Sequence, residues 1–245
     1  MNIVIPIAAL NNSEEFTDYT RNLYEIEHKI AFQHIYDRLC TIENANFIVI
    51  IKREDVVKFH FDDIVRLMIP NVKIIVAEGE TCGSACTCLL AVDYIDNNEP
   101  LLIANCDQLI TKDWQIIINS FTLNKWDGGI VIFDDIHPKW SFVKLDSNGL
   151  VIEAAEKRPI SRNATTGHYY FKHGMYFVEY AKIMIRKGAS VNGQYFCCPI
   201  YNEMILKQKK IGTFRINKTE IFSFKDKKGM NEYEYYLKEN KSENL

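Results

Sequence analysis

The sequence predicts an α/β protein with a mostly parallel central sheet. Short apolar runs alternate with amphipathic segments through the first 135 residues, which is typical of a doubly wound sheet. One of these runs, residues 101–104, has four consecutive apolar residues between Pro100 and a polar break, which favours a strand buried on both faces. A chain of 245 residues is long enough for one large domain with a substantial core.

The first half of the chain carries most of the predicted elements. We expect strands at residues 2–8, 47–51, 72–77, 101–104 and 129–133. We expect helices at residues 28–39, 61–68 and 114–121, and one from the turn at residues 80–85 to about residue 95. The first helix is predicted from Ile30, Ile35 and Leu39, whose spacing puts them on one face.

After residue 135 the alternation gives way to a mixed pattern. The tetrapeptide at residues 146–149, Asp-Ser-Asn-Gly, is a strong hairpin signal between predicted strands at residues 141–145 and 150–155. Further strands are expected at residues 166–171 and 212–216, and helices at residues 175–187 and 199–208. The charged residues 229–245 form either a closing helix or a frayed tail. We therefore expect one domain, with halves at residues 1–135 and 136–228 and then this terminal segment.

Composition narrows the classes of partner and compartment. The formal net charge of −3 offers no general attraction for nucleic acid or anionic membranes, so neither is expected as a partner. The seven cysteines are an odd set without repeated CxxC pairs, which favours a reducing, cytoplasmic location. The N-terminus lacks the basic segment of a signal peptide, and no apolar stretch reaches 18 residues, so we expect no membrane span.

Polar side chains follow the buried strand at residues 101–104. Asn105, Asp107 and Gln108 lie at its carboxyl end, where ligands bind in open α/β sheets. A carboxylate flanked by amides suits a hard cation such as Mg²⁺ that is shared with a phosphate. The alternative is that Asp107 only caps the helix starting near Asp113. A single aspartate does not separate the two interpretations.

Two junctions between a strand and a helix carry small residues. The first follows the strand at residues 2–8, and the second is the turn at residues 81–85, Thr-Cys-Gly-Ser-Ala. Small residues let the backbone approach a ligand closely, and the amides at a helix N-terminus favour anions. The alternative for the second junction is an ordinary tight turn capped by Ser84.

Charged and aromatic segments in the second half are also candidates. Glu156, Lys157 and Arg158 end a strand, and they form either a phosphate-and-hydroxyl site or a solvated ion-paired face. The eight lysines and arginines from Lys207 to Lys228 line a phosphate site or form a solvated basic edge. The segment at residues 137–140 forms part of a substrate wall, unless its tryptophan packs instead.

Seven segments together resemble the sugar-phosphate nucleotidyltransferase family. They are residues 2–8, 83–87, 100–108, 137–141, 155–159, 167–171 and 198–203, and the resemblance covers roughly residues 1–215. It is closest to the branch encoded among bacterial surface-polysaccharide genes. It implies a Rossmann-like domain of the GT-A and nucleotidyltransferase type, with a nucleotide-binding half at residues 1–135 and an acceptor-binding half at residues 136–228.

The resemblance also implies a reaction and a set of site residues. A phosphate oxygen of the acceptor attacks the α-phosphorus of a nucleoside triphosphate, and pyrophosphate leaves with the help of Mg²⁺. Asp107 matches the family's metal-binding aspartate, and a second metal carboxylate is usual near the C-terminal end, where Asp226 and Glu220 are candidates. The expected residues are Arg21, Asp107 and Lys157 for catalysis; Ala8, Ala9, Leu10, Thr81, Gly83, Ser84 and Asn105 for the nucleotide; Gln108, Glu156, Gly167 and Tyr169 for the acceptor; and Asp107 with Asp226 for the metal.

The loop after the first strand departs from the family pattern. Active members carry a glycine-rich loop with an arginine, followed by a lysine, whereas residues 9–16 contain no glycine and include Glu14 and Glu15. Arg21 takes the approximate place of the lysine, although the two cations are not equivalent toward a phosphate.

Three functions therefore stay open at this stage. The first is a nucleotidyltransferase that uses CTP, UTP or dTTP with a phosphorylated small molecule for surface-polysaccharide synthesis. The second is a GT-A glycosyltransferase that uses a nucleotide-sugar, and the third is a catalytically inactive relative. Homo-oligomers are frequent in the family.

Overall fold

One mixed sheet runs through the protein and carries helices on both faces. In the computed structural model, which describes residues 1–9 and 20–242, nine strands join this sheet and two further pairs stand beside it. The strands are β1 (Asn2–Pro6), β2 (Glu25–Ile26), β3 (Lys29–Ile30), β4 (Asn46–Lys52), β5 (Lys73–Ala77), β6 (Leu101–Ile103), β7 (Gln108–Ile110), β8 (Gly128–Asp134), β9 (Phe142–Leu145), β10 (Val151–Ala155), β11 (Asn163–Phe171), β12 (Ile211–Arg215) and β13 (Ile221–Ser223).

The helices lie between these strands and at the C-terminal end. They are α1 (Ala31–Leu39), α2 (Arg53–Phe59), α3 (Phe61–Met68), α4 (Ser84–Leu89), α5 (Val92–Ile95), α6 (Trp114–Leu123), α7 (Gly174–Arg186), α8 (Ile200–Leu206) and α9 (Lys227–Ser242). Short 3₁₀ helices occur at Ile7–Ala9, Arg21–Leu23 and Lys218–Glu220. No helix in the described ranges is long and apolar enough to cross a bilayer.

The parallel part of the sheet has the order β6-β1-β4-β5. The chain moves from β1 to β4 and β5 on one side, then crosses to β6 on the other side of β1. A reversal of this kind opens a crevice at the carboxyl ends of the two strands that flank it. The crevice is therefore expected between the ends of β1 and β6.

Both faces of the sheet are buried because the side chains of its inner strands are apolar on both sides. In β1, Ile3 and Ile5 join one hydrophobic cluster, and Val4 joins the other. The first cluster includes Phe32 of α1, and it extends to buried residues of α3, α6 and α9. The second cluster takes its helical members, such as Tyr201 of α8, from α4, α5, α7 and α8. This layering confirms the predicted α/β fold class.

The second half continues the same sheet mainly with antiparallel strands, and its strand β12 pairs in parallel with β8. β11 pairs with β6 on one side and with β8 on the other, and β9 and β10 form the expected hairpin. The Asp146 side chain closes the hairpin turn by accepting from the backbone amides of Asn148 and Leu150. The C-terminal segment is a helix, α9, as one of the two sequence-based alternatives proposed.

Several details differ from the predicted elements, and the β2–β3 pair is one that was not predicted. The predicted helix at residues 84–95 is interrupted between α4 and α5, and the predicted helix at residues 28–39 starts only at Ala31. The latter begins late because Glu27 and His28 adopt positive φ angles, which turn the chain between β2 and β3. Helix α2 and the β7–β13 pair were not predicted. The division into two halves stays a prediction.

Candidate functional site

A cleft of about 520 Å³ opens at the carboxyl ends of β1, β4 and β6 and is closed on the far side by β11. It brings together residues that are far apart in the sequence. The predicted site residues that line it are Ala8, Ala9, Arg21, Thr81, Gly83, Ser84, Asn105, Asp107, Gln108, Glu156, Lys157, Gly167 and Tyr169. Leu10 lies outside the described residues, and Asp226 is not part of the lining.

Asp107 lies in the cleft, and the two oxygens of its carboxylate have different surroundings. Its side chain is only 4% exposed, and its Oδ2 lies 3.3 Å from the Nζ of Lys225. Its Oδ1 is buried and has no hydrogen-bond partner among the described residues. The alternative role as a helix cap is wrong, because Asp113 caps α6 by accepting from the amides of Gln115 and Ile116. A buried carboxylate oxygen without a hydrogen-bond partner is costly, so this position suits a cation or another polar ligand.

Arg21 supplies a buried cation to the same cleft. It begins the 3₁₀ helix Arg21–Leu23, and it is 5% exposed. Its Nε has no hydrogen-bond partner within the part of the chain that the structure describes. Because burying an unpaired donor of a charged group is costly, this guanidinium suits an anion such as a phosphate.

The turn before α4 is fixed by backbone contacts. Gly83 has φ +104°, and a Cβ atom at this position would lie 2.5 Å from the carbonyl oxygen of Tyr195. The amide of Ala85 donates to that carbonyl at 3.0 Å, and the amide of Tyr195 donates to the carbonyl of Cys82 at 2.7 Å. The first residue of α4 is Ser84, and no side-chain cap forms there, so the turn is not an ordinary serine cap.

Glu156 and Lys157 line the side of the cleft that follows β10. Glu156 accepts a hydrogen bond from the Oγ of Ser141, and burial raises the pKa of its carboxyl group. Lys157 is exposed, and its Nζ lies 4.9 Å from the ring centroid of Phe196. Arg158, in contrast, turns to the surface and pairs with Glu153 at 2.8 Å. The solvated ion-pair interpretation therefore holds for Arg158 and not for its two predecessors.

Gly167 and Asn105 join the two sides of the cleft. Gly167 has φ +79°, and a Cβ atom there would lie 2.5 Å from the Nδ2 of Asn105. The next residue, His168, is buried against Trp114 with ring centroids 4.8 Å apart, and burial lowers its pKa to about 3, so its imidazole is neutral. Gly167 is therefore held in place beside His168, a buried and uncharged side chain.

The cleft is basic in a protein that is acidic overall. Its lining includes five cationic side chains, those of Arg21, Lys52, Lys139, Lys157 and Lys225, and three carboxylates, those of Glu80, Asp107 and Glu156. The formal net charge of the chain is −3. A concave surface with this excess of cations concentrates anions such as phosphates.

Several lining residues were not predicted as site residues. Lys52 ends β4, so the rule that pointed to Asp107 at the end of β6 would also have found it. Lys225 is the one member of the basic run from Lys207 to Lys228 that lines the cleft. Trp140 packs edge-on against Phe133 at 5.1 Å and also lines the cleft, and the role of its segment as a substrate wall stays a prediction. Ser141 lies in the 137–141 segment of the family resemblance but was given no role, and Gln194, Phe196 and Cys197 carried no recognisable signal.

The two candidates for a second metal carboxylate, Asp226 and Glu220, are not among the residues that line the cleft. The Oδ1 of Asp226 accepts from the amide of Gly229 at 2.8 Å, at the start of α9. The other candidate, Glu220, accepts from the amide of Asn217 and lies 3.7 Å from Lys112. No group of three or more histidine, cysteine, aspartate or glutamate side chains within residues 1–9 and 20–242 is arranged to hold a metal.

Mg²⁺ nevertheless fits the cleft in one way. The cation is usually bound by one or two carboxylates, with phosphate oxygens and water as its remaining ligands. The Oδ1 of Asp107, which has no hydrogen-bond partner among the described residues, offers one such ligand within a cleft that suits phosphates. A divalent cation at this position would therefore be shared with a bound phosphate.

Three comparisons relate the chain to known proteins. The model of the nucleotidyl transferase family matches residues 19–210, and a search of curated proteins finds no match. Among solved structures, a nucleoside-diphosphate-sugar pyrophosphorylase from Vibrio cholerae aligns over 95% of this chain and 99% of its own, with a TM-score of 0.79 and 23% identity.

Two further structures share the fold at lower identity. A protein from Bacillus anthracis, assigned as a glucose-1-phosphate thymidylyltransferase and solved with sucrose, aligns over 96% of this chain and 94% of its own, with a TM-score of 0.74 and 15% identity. HddC from Yersinia pseudotuberculosis aligns over 96% of this chain and 99% of its own, with a TM-score of 0.68 and 14% identity. The family match spans most of the sequence, and the chain belongs to the nucleotidyl transferase family.

Proposed function

We propose that the protein transfers a nucleotidyl group from a nucleoside triphosphate to a sugar-phosphate or another phosphorylated small molecule. The products are a nucleotide-activated precursor and pyrophosphate. The observation that carries the proposal is that one cleft contains two buried charged groups. Each has one atom without a hydrogen-bond partner in the described chain, Nε of Arg21 and Oδ1 of Asp107. One suits a phosphate, and the other suits a cation shared with a phosphate.

The nucleotide occupies the side of the cleft at the ends of β1 and β6. The short side chains of Ala8 and Ala9 and the clamped turn at Gly83 allow the backbone to approach the base and ribose. Thr81, Ser84 and Asn105 supply hydroxyl and amide groups to hydrogen-bond them. Leu10 completes this set in the sequence-based proposal.

The acceptor occupies the side formed by β10 and β11. Glu156 and Gln108 accept hydrogen bonds from its hydroxyl groups, and the part of the cleft lined by Gly167 and Tyr169 accommodates its body. Lys157 holds its phosphate from the exposed rim of the cleft. Because Lys157 is a flexible cation on an exposed residue, it can follow acceptors of different shape.

The reaction needs stabilisation of negative charge more than it needs a protein nucleophile. An acceptor phosphate oxygen forms a bond to the α-phosphorus, the bond from the α-phosphorus to the bridging oxygen of the β-phosphate breaks, and pyrophosphate leaves with both electrons. Arg21 donates to the phosphates on which charge develops. Mg²⁺ bound at Asp107 would supply a Lewis acid that neutralises further phosphate charge.

The biological setting of the proposal rests on the sequence resemblance. We propose CTP, UTP or dTTP as the donor, a product used for capsule or surface polysaccharide, a cytoplasmic location and assembly into a homo-oligomer. The similar proteins from Vibrio cholerae and Bacillus anthracis carry names that denote the same class of reaction.

Pyrophosphate release tests the proposal. The protein is incubated with Mg²⁺, each nucleoside triphosphate and a panel of phosphorylated acceptors, alongside Arg21→Gln and a control, Arg162→Gln. Arg162 is an exposed arginine paired with Asp134 outside the cleft. We expect release that depends on the acceptor, is lost about 10²–10³-fold in Arg21→Gln, and is unchanged in Arg162→Gln.

Two other outcomes would contradict the proposal. Thermal stabilisation by a nucleotide-diphosphate sugar, without pyrophosphate release from any triphosphate, would instead support the glycosyltransferase. No response to any nucleotide would support an inactive relative.

A further inference from the structure

We propose that Lys225 is the resident counter-ion of Asp107 and that incoming phosphate must draw it away before this carboxylate binds a divalent cation. The metal would then bind after, or together with, the phosphate and not before it. The inference rests on the proposed function, because it requires phosphate groups in this cleft.

The backbone fixes where Lys225 can reach. Strand β13 pairs with β7 in a register that sets Ser223 opposite Gln108. The amide of Phe224 then donates to the carbonyl of Asp107 at 2.7 Å. Phe224 is itself buried. Lys225 therefore leaves the backbone directly beside Asp107.

The residue after Lys225 is fixed as well. The carboxylate of Asp226 is bound to the amide of Gly229, and the carbonyl of Asp226 accepts from the amide of Met230. The chain around Lys225 is thus anchored by β13 on one side and by α9 on the other. Only the four-carbon side chain of the lysine is left to move.

The charges explain why Lys225 rests on Asp107. The carboxylate of Asp107 is 4% exposed, whereas the lysine side chain is 41% exposed and reaches it at 3.3 Å. A buried carboxylate requires a counter-charge, and the ammonium supplies one. Among the five cations that line the cleft, Lys225 is the one with a carboxylate partner within 4 Å in residues 1–9 and 20–242.

The pair also has a way to open. The ammonium of Lys225 lies 5.8 Å from the ring centroid of Trp140, at the open part of the cleft. A phosphate offers the ammonium a more highly charged partner. Once the lysine turns to the phosphate, the Oδ2 that it contacted becomes available to a divalent cation. Until then, the ammonium repels any cation that approaches this carboxylate.

Titration of the protein with Mn²⁺ alone tests this order of binding. Free Mn²⁺ is followed by electron paramagnetic resonance, without nucleotide, in the native protein, Lys225→Met and Lys225→Arg. Methionine keeps the apolar stem and removes the charge, and arginine keeps the charge. We expect Lys225→Met to bind Mn²⁺ at least tenfold more tightly than the native protein, and Lys225→Arg to stay weak.

Two controls separate a specific effect from a general change in charge. Lys139→Met removes another cleft cation, whose Nζ lies 4.8 Å from the same Trp140 ring, and should change Mn²⁺ affinity by less than threefold. Adding Asp107→Asn to Lys225→Met should abolish the gain. Thermal unfolding of each variant shows that it is folded.

The inference is overturned by any of three results. These are native affinity equal to that of Lys225→Met, an equal gain in Lys139→Met, or a gain that survives Asp107→Asn. None of the measurements requires turnover, so an inactive enzyme in the pyrophosphate assay would leave their interpretation unchanged.

Discussion

The two sides of the cleft hold their charges differently. On the side of β1 and β6, Arg21 and Asp107 are buried, and each keeps an atom without a partner in the described chain. On the side of β10 and β11, Glu156 accepts from Ser141, and Lys157 is exposed. Buried charges are fixed before a ligand arrives, whereas exposed ones adjust to it. The difference suits a nucleotide side that binds one constant group and an acceptor side that determines specificity.

Among substitutions of uncharged residues, the largest effect is expected where the two sides meet. Gly167→Ala would place a methyl group 2.5 Å from the amide nitrogen of Asn105 and force this side chain out of the cleft. Because a small misplacement of binding groups can cost about 10²-fold in rate, we expect kcat to fall by that order. Steady-state kinetics with both substrates varied measures it.

Gly149→Ala is the matched control for this substitution. Gly149 has the same φ of +79°, but nothing lies within 4 Å of its Cβ position. Each alanine pays about 1–2 kcal/mol of backbone strain, visible in thermal unfolding. Only Gly167→Ala should lose activity, and equal losses in the two variants would show that the contact with Asn105 is irrelevant.

A smaller effect, on the KM for the acceptor alone, is expected from the replacement of Lys157. Lys157→Met removes a charged hydrogen bond to the acceptor phosphate, a loss of about 1.5–3 kcal/mol, so the KM for the acceptor should rise roughly 10–100-fold. The KM for the nucleoside triphosphate should not change. Arg158→Met, next along the chain but paired with Glu153 on the surface, should alter neither constant. A rise in the nucleotide KM in Lys157→Met would break the division between the two sides.

The smallest effect concerns the stability of the acceptor side. Burial raises the pKa of Glu156 above 4.5, so the folded protein favours the protonated form. Ionisation therefore costs stability as the pH rises from the ordinary carboxyl pKa to this raised value, and the cost is absent below that range. Glu156→Gln should raise the melting temperature at pH 7 and give no gain at pH 4.

Glu153→Gln is the reference for this pH dependence. The carboxylate of Glu153 is paired with Arg158 at the surface, so its replacement should give no gain at pH 7. Thermal unfolding at both pH values measures the difference, at roughly 2–4 °C per kcal/mol. A gain in Glu156→Gln that is equal at pH 4 and pH 7 would contradict the assignment to ionisation.

Strong local signals made much of the fold and the cleft predictable. The apolar runs of β1, β4 and β6 fix the parallel part of the sheet, and this part places Asp107 at a carboxyl end. The glycine at residue 83 likewise predicted a tight turn, and the structure has one there, held against the backbone of Tyr195. These signals come from residues that are close together in the sequence, so a single sequence is enough to detect them.

Non-local pairing explains what the sequence did not predict. Lys225 reaches Asp107 because the three-residue strands β7 and β13 pair across a long separation, and strands so short carry no periodicity. Asp226 lies outside the cleft lining, and its Oδ1 accepts from the amide of Gly229 at the start of α9, so its role as a metal ligand stays a prediction. Helix α2 has seven residues, four of them charged, so it lacked the apolar face that would have predicted it.

The central claim is that the buried carboxylate of Asp107 is required for nucleotidyl transfer. Asp107→Asn and Asp113→Asn change one aspartate each, and asparagine also caps helices, so the start of α6 keeps its hydrogen bonds. Pyrophosphate release at saturating substrates is the direct test. The account predicts a loss of about 10²–10³-fold in Asp107→Asn and native activity in Asp113→Asn, which lies outside the cleft lining. Native activity in Asp107→Asn, or an equal loss in both variants, would contradict it.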